Sequence, residues 1–179
     1  MEFSTTGLEG AVLVDLEPHH DTRGFFARAF CANEFRLQGL PSDFPQSNLS
    51  RNTRGGTLRG LHFNAPPDEE AKLVRCVRGA IYDVIVDLRR ESATFSSWIG
   101  VELSAENGRA LFVPVGFAHG FLTLVDDTDI FYQMGGPYRP HAARGIRYND
   151  PFFDVVWPSE PSVISERDLS YPDYDPNAP

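Results

Sequence analysis

His62 and Lys72 stand ten positions apart in "TLRGLHFNAPPDEEAKLV" (residues 57–74), with a Pro-Pro loop between them. An imidazole takes and returns protons near neutral pH, and an ammonium beside a developing oxyanion stabilises it. Strand alternation puts Leu61 and Phe63 on one face and Gly60 with His62 on the other, so His62 can line a pocket while its neighbours pack. A hairpin over 58–76 would bring Lys72 back beside the first strand. A lysine facing an interior is costly unless an anionic group visits it; the bland alternative is a solvated side chain.

Of the five histidines, His19 and His20 fall in a turn and His141 follows a proline, and all three read as solvent-exposed. His62 and His119 instead sit inside strand-like runs. Either could be a hydrogen-bonded core histidine or part of a site. Arg23, Arg28 and Arg59 are further cations in or beside aromatic-bearing runs, where the bland reading is a surface ion pair.

Other chemistries lack their motifs. No H-x-H occurs, His62 is followed by "FNAPPDEE", and two isolated strand histidines do not supply a three-ligand centre, so no metal is expected. No G-x-G-x-x-G follows a strand, and neither a phosphate-binding G-x-x-x-x-G-K-[ST] nor a G-x-S-x-G is present. Cys31 and Cys76 form no C-x-x-C pair, which describes neither a disulfide framework nor a zinc site.

The chain has 179 residues and a formal net charge of -9. A net negative field repels phosphate backbones, so nucleic acid and anionic membrane surfaces are not expected partners, although a local arginine cluster could still hold a small anion. No signal-peptide pattern opens the sequence and no run of 18 apolar residues occurs, which points to the cytoplasm.

The elements that must carry these side chains read as β-structure. "AVLVDL" (11–16) is a strand and "HHDTRG" a turn. A short helix is expected around 32–38, closed by Gly39. Later come "TLRGLHF", "AKLVRCV", "AIYDVIVDL", "WIGVELS", "ALFVPV", "HGFLTLV" and "DIFYQM", separated by turn-forming segments. That spacing is the pattern of an antiparallel sandwich or barrel. Asp83 and Asp87 fall on one face of "AIYDVIVDL". After Tyr138 the chain turns irregular, proline-rich and acidic. One all-β domain over 1–179 with an irregular C-terminal arm is expected.

Eight segments, in order, give the chain a resemblance: "DTRGFF", "QSNLS", "GTLRGLHF", "AKLVRCVRGAIYDVIVDLR", "PVGFAHGF", "FYQ", "YNDP" and "VISERD". Over roughly residues 3–174 it resembles the dTDP-4-dehydrorhamnose 3,5-epimerase (RmlC-like) family. The resemblance implies a double-stranded β-helix of the cupin, or jelly-roll, type. It also implies a cofactor-independent isomerase, a homodimer with exchanged N-terminal strands, and a nucleoside-diphosphate 4-keto-6-deoxyhexose substrate. The best match is dTDP-4-dehydro-6-deoxy-D-glucose, inverted at C3 and C5; a 3- or 5-mono-epimerase, or a user of CDP- or GDP-linked sugars, is the neighbouring alternative. By the same resemblance His62 is the base, Asp168 its partner, Lys72 the clamp on the enolate oxygen and Tyr132 the acid on the opposite face. Arg23 and Arg59 match diphosphate and sugar contacts, with Arg28 near the nucleotide and Phe26 a stacking surface for its base. Gln46 and Asn48 match polar ligand contacts, His119 lies near the sugar or phosphate, and Tyr138 is at the nucleotide end.

Overall fold

The computed structural model describes residues 1–176. In chain order the first strands are β1 (Glu2–Thr5), β2 (Val12–Asp15), β3 (His19–Asp21), β4 (Gly24–Phe26), β5 (Gln46–Asn52), β6 (Leu58–Asn64) and β7 (Lys72–Arg78). They are followed by β8 (Ala80–Asp87), β9 (Trp98–Ser104), β10 (Ala110–Val113), β11 (Phe117–Thr123), β12 (Thr128–Met134) and β13 (Ala143–Gly145). Helix α1 (Ala32–Leu37) lies between β4 and β5, and α2 (Glu166–Leu169) follows β13.

Two antiparallel sheets face each other, one in the order β1-β2-β10-β7-β12-β5 and the other β13-β6-β11-β8-β9, with β3 and β4 forming a separate hairpin. This is the expected all-β jelly roll. Between the sheets alternate side chains meet: Val74 and Cys76 of β7, Ile81 and Ile85 of β8, Leu111 and Val113 of β10, Phe117 and Phe121 of β11, and Ile130 of β12. Each large apolar side chain buried there contributes about 1.5–3 kcal/mol. Alternation sends the intervening residues to the outer faces, which have their own covers. Segment 30–44, including α1, lays Phe30, Phe35, Leu40 and Phe44 against Leu73 and Phe112. The C-terminal arm lays Phe153, Val155, Trp157 and Tyr174 against Leu61, Val84, Val86 and Ala118. The arm is irregular, as expected, but it is the second wall of a core.

The expected helix ends at Leu37, and Gly39 closes it at φ +71°. Gly39 N–H donates to Arg36 O and Leu40 N–H to Phe35 O, each at 3.0 Å, so the last carbonyls are satisfied in a left-handed cap. Six elements are additional to the sequence reading. The "HHDTRG" stretch is the β3–β4 hairpin, with His19 and His20 on a strand and still exposed. Strands β1, β5 and β13 and helix α2 also form; β5, "QSNLSRN", has no apolar alternation because one of its faces lines a polar cavity and the other is exposed. The single-domain expectation ran to residue 179, and its last three residues lie outside those described.

Candidate active site

At one end of the layer between the sheets the apolar filling gives way to a cavity of about 670 Å³. The six-stranded sheet contributes Gln46 and Asn48 from β5, Lys72 from β7 and Tyr132 from β12; the other sheet contributes Arg59 and His62 from β6 and His119 from β11. Tyr138 stands at the mouth, and Ser165, Arg167 and Asp168 close the side. Asn48 and Tyr132 are cross-strand partners, and Gln46 Nε2 donates to Asn48 Oδ1 at 3.2 Å.

A bulge decides which β6 residues enter. His119 pairs with His62, but Phe121 pairs with Arg59, so β6 carries one extra residue there. Arg59 and His62 lie three apart and would occupy opposite faces of a regular strand; the bulge turns both toward the cavity. It sits at Gly60, with φ +121° and no room for a side chain: a Cβ there would lie 2.5 Å from Gly120 Cα. Arg59 Nε donates to Asn52 Oδ1 at 2.7 Å, which anchors the guanidinium stem.

Asp168 arrives from the far end of the chain. Ser165 caps α2 by accepting the Asp168 N–H at 3.1 Å, which holds the first turn. The carboxylate is directed at β6: Oδ1 lies 2.7 Å from His62 Nε2, and Oδ2 accepts the Gly60 N–H at 3.2 Å. Burial alone would raise the Asp168 carboxyl, but the bonds from His62, Gly60 and Ser165 outweigh it and hold the group below its ordinary value. With Nε2 bound to an anion, Nδ1 is the His62 nitrogen free to exchange a proton with a ligand.

Lys72 stands beside His62 and donates to the His62 carbonyl at 3.4 Å. The surrounding protein lowers its pKa through burial, while Glu70 and Asp83 push the other way. Burial raises the Tyr132 phenol; Arg59 opposes that and Glu70 adds to it. His119 is held through Nε2 by Asp83 Oδ1 at 2.8 Å, and Asp83 Oδ2 is buried with no hydrogen-bond partner. Asp83 and Asp87 do share the inward face, and both are fully buried.

Nine of the twelve residues singled out in the sequence therefore meet at one cavity. Arg23, Phe26 and Arg28 do not line it within this chain. Arg23 pairs with Asp21 on the hairpin, Phe26 is 74% exposed, and Arg28 bonds to Glu34 at 2.7 Å. Sequence reasoning missed Glu70, Asp83, Ser165 and Arg167 as part of the site. Glu70 had a usable signal, since it precedes Lys72 by two positions and shares its face; Asp83 had none, because its partner His119 comes from another strand. Among the described residues, no group of three or more His, Cys, Asp or Glu side chains is placed to hold a metal ion.

The arrangement can remove a proton with one imidazole, hold the resulting negative charge with an ammonium and return a proton from a phenol. A jelly roll with that equipment is a proton-transfer isomerase. The family model for dTDP-4-dehydrorhamnose 3,5-epimerase matches residues 5–175. A dTDP-4-dehydrorhamnose 3,5-epimerase of Sinorhizobium fredii is 42% identical over 96% of this chain and 89% of its own length. The Bacillus anthracis enzyme of the same name, solved with TDP and PPi bound, superposes with a TM-score of 0.94 at 39% identity over 97% of this chain and 99% of that one. The Legionella pneumophila enzyme, in complex with dTDP-4-keto-L-rhamnose, gives a TM-score of 0.89 at 36% identity over 95% of this chain and 90% of that one. The chain belongs to the dTDP-4-dehydrorhamnose 3,5-epimerase family.

Proposed function

We propose that the protein converts dTDP-4-dehydro-6-deoxy-D-glucose to dTDP-4-dehydro-L-rhamnose by inverting C3 and C5. The observation that carries this reading is the His62–Asp168 pair at 2.7 Å, set in one cavity with Lys72 and Tyr132. A C4 ketone acidifies the hydrogens on C3 and C5. His62 Nδ1 takes one of them, the C–H electron pair moves into an enolate, and the imidazolium is stabilised by Asp168. Lys72 stabilises the enolate oxygen. Tyr132 O–H returns a proton to the opposite face of the carbon, and solvent restores the initial protonation states. The sequence balances with proton transfers alone and calls for no cofactor.

Binding follows from local charge. Although the chain is acidic, Arg59, Lys72, His119 and Arg167 converge on the cavity, a cluster suited to a sugar diphosphate. Arg23 and Phe26 project on an exposed hairpin, with Phe25 60% and Phe26 74% exposed. In a homodimer with exchanged N-terminal strands such a hairpin serves the partner's cavity, where Phe26 can stack on the nucleotide base and Arg23 can meet the diphosphate. Arg28, which follows β4, is placed near the nucleotide in the same assembly. We read 1–179 as one domain working in the cytoplasm; both cysteines are free thiols, and among the described residues no helix is long and apolar enough to cross a membrane.

The test is turnover of dTDP-4-dehydro-6-deoxy-D-glucose in deuterated water followed by NMR. Deuterium at C3 and C5 with inversion is the expected result. Inversion at a single centre would make it a mono-epimerase, and no exchange with dTDP-, CDP- or GDP-linked 4-keto sugars would overturn the catalytic reading.

A further inference from the structure

Glu70 lies just before β7, two positions ahead of Lys72, and both side chains reach the same cavity. The residue between them, Ala71, packs on the opposite face against the cluster around Phe35. Its carbonyl accepts the Gly135 N–H at 2.8 Å, which extends the β7–β12 pairing past its last register pair and fixes the Glu70 backbone. Gly136 covers the side chain: a Cβ there would lie 3.7 Å from Glu70 Oε2.

The charged and titratable groups around this carboxylate have distinct commitments. Arg59 and His62 face the cavity from β6, Lys72 from β7, His119 from β11, Tyr132 from β12, Tyr138 from the mouth, and Arg167 and Asp168 from α2. Asp83 acts on Lys72 from β8. Asp168 is bound to His62 and Asp83 to His119. Among the described residues at the cavity, Glu70 is thus the carboxylate not tied to an imidazole, and its field falls on both Lys72 and Tyr132.

We propose that Glu70 is a positioning residue for the reaction: its carboxylate keeps a proton on both Lys72 and Tyr132. The physical logic is one of sign. A nearby anion favours the ammonium over the neutral amine, and the neutral phenol over the phenolate. Burial works against the ammonium, so without the carboxylate Lys72 would lose its charge at a lower pH. Tyr132 would likewise ionise sooner. Both losses disable the mechanism from the alkaline side, one by discharging the oxyanion clamp and the other by removing the acid.

Lys72 is the only lysine in the sequence, which gives a direct readout. Protein labelled with lysine carrying 13C at Cε shows a single lysine resonance, and its shift against pH titrates Lys72 without any substrate. Glu70→Gln is expected to move that midpoint to lower pH by roughly half a unit or more, while Glu70→Asp, which keeps the charge, stays closer to the parent. Glu70→Met is the second uncharged variant, to be used where the glutamine form does not fold. In turnover, the uncharged variant is expected to lose a further threefold or so in kcat between pH 7 and pH 9, relative to the parent over the same interval. Superimposable titrations for the parent and the uncharged variant would overturn the proposal, as would alkaline limbs that coincide. The kinetic arm rests on the epimerase reading but the resonance does not, so a wrong substrate appears as absent turnover with the Lys72 titration still displaced.

Discussion

His62 and His119 sit directly opposite each other on β6 and β11, and each imidazole is tied through Nε2 to its own buried carboxylate. The two pairs differ in access. The His62 side chain is 42% exposed and that of His119 is 11% exposed. The open ring can meet a carbon acid, and the enclosed one is suited to holding a ligand oxygen or the cavity wall.

His62→Ala is therefore expected to lower kcat by on the order of a hundredfold or more, the amount general base catalysis supplies. Asp168→Asn should lower kcat strongly with KM within a few-fold, because the amide leaves the imidazole in place but neither fixes its tautomer nor stabilises its charged form. Steady-state kinetics at saturating substrate decides it, and near-parental kcat for His62→Ala would remove His62 from the base role.

Tyr132→Phe separates the two half-steps. The phenyl ring keeps the packing but has no proton to return, so epimer formation should fall while His62 continues to exchange the substrate's own hydrogen. In deuterated water the expected product is labelled starting sugar. Full epimerisation by the variant would assign the returning proton to another group.

Asp87 makes a prediction about stability. Its carboxylate accepts from Arg89 Nε at 2.9 Å, Ser92 Oγ at 2.6 Å and Thr94 Oγ1 at 2.6 Å, closing the turn between β8 and β9. Burial alone would raise this group, but the hydrogen bonds bring it down from 3.8 to about 2. The folded value is the lower one, so the stabilisation is complete above the ordinary carboxylate range and is lost as pH falls from about 4 toward 2. Asp87→Asn should cost about 1–2 kcal/mol after allowance for screening, or about 3–6 °C in Tm at neutral pH. Thermal melts should show that gap narrowing below about pH 4; a gap independent of pH would assign the loss to packing.

The exposed hairpin predicts a dependence on assembly. Phe26→Ala and Arg23→Ala should raise KM several-fold with less effect on kcat, because the proposed assembly assigns both to binding. Sedimentation should give a two-chain mass. A monomer with full affinity for substrate would sink the exchanged-strand reading.

Much of this was local and therefore legible in the order of residues. Period-two alternation marked the strands from Leu58 to Met134, Gly39 marked the end of α1, and alternation placed His62 opposite Leu61 and Phe63. Strand β5 was not legible as a strand, because its inward residues face a polar cavity and carry no apolar signal. Nor could sequence order show that Arg59 and His62 share a face, since that rests on a bulge made possible where Gly60 meets Gly120. The resemblance named Asp168 as the partner of His62, but only folding brings it 106 positions back along the chain to within 2.7 Å, carried by an arm that is itself packed on the β6 sheet. Glu70 was readable as a neighbour of Lys72, whereas its hold on Tyr132 depends on the pairing of β7 with β12. Local propensities act over a few residues and are written in the chain; long-range electrostatics and burial exist only once the two sheets have closed.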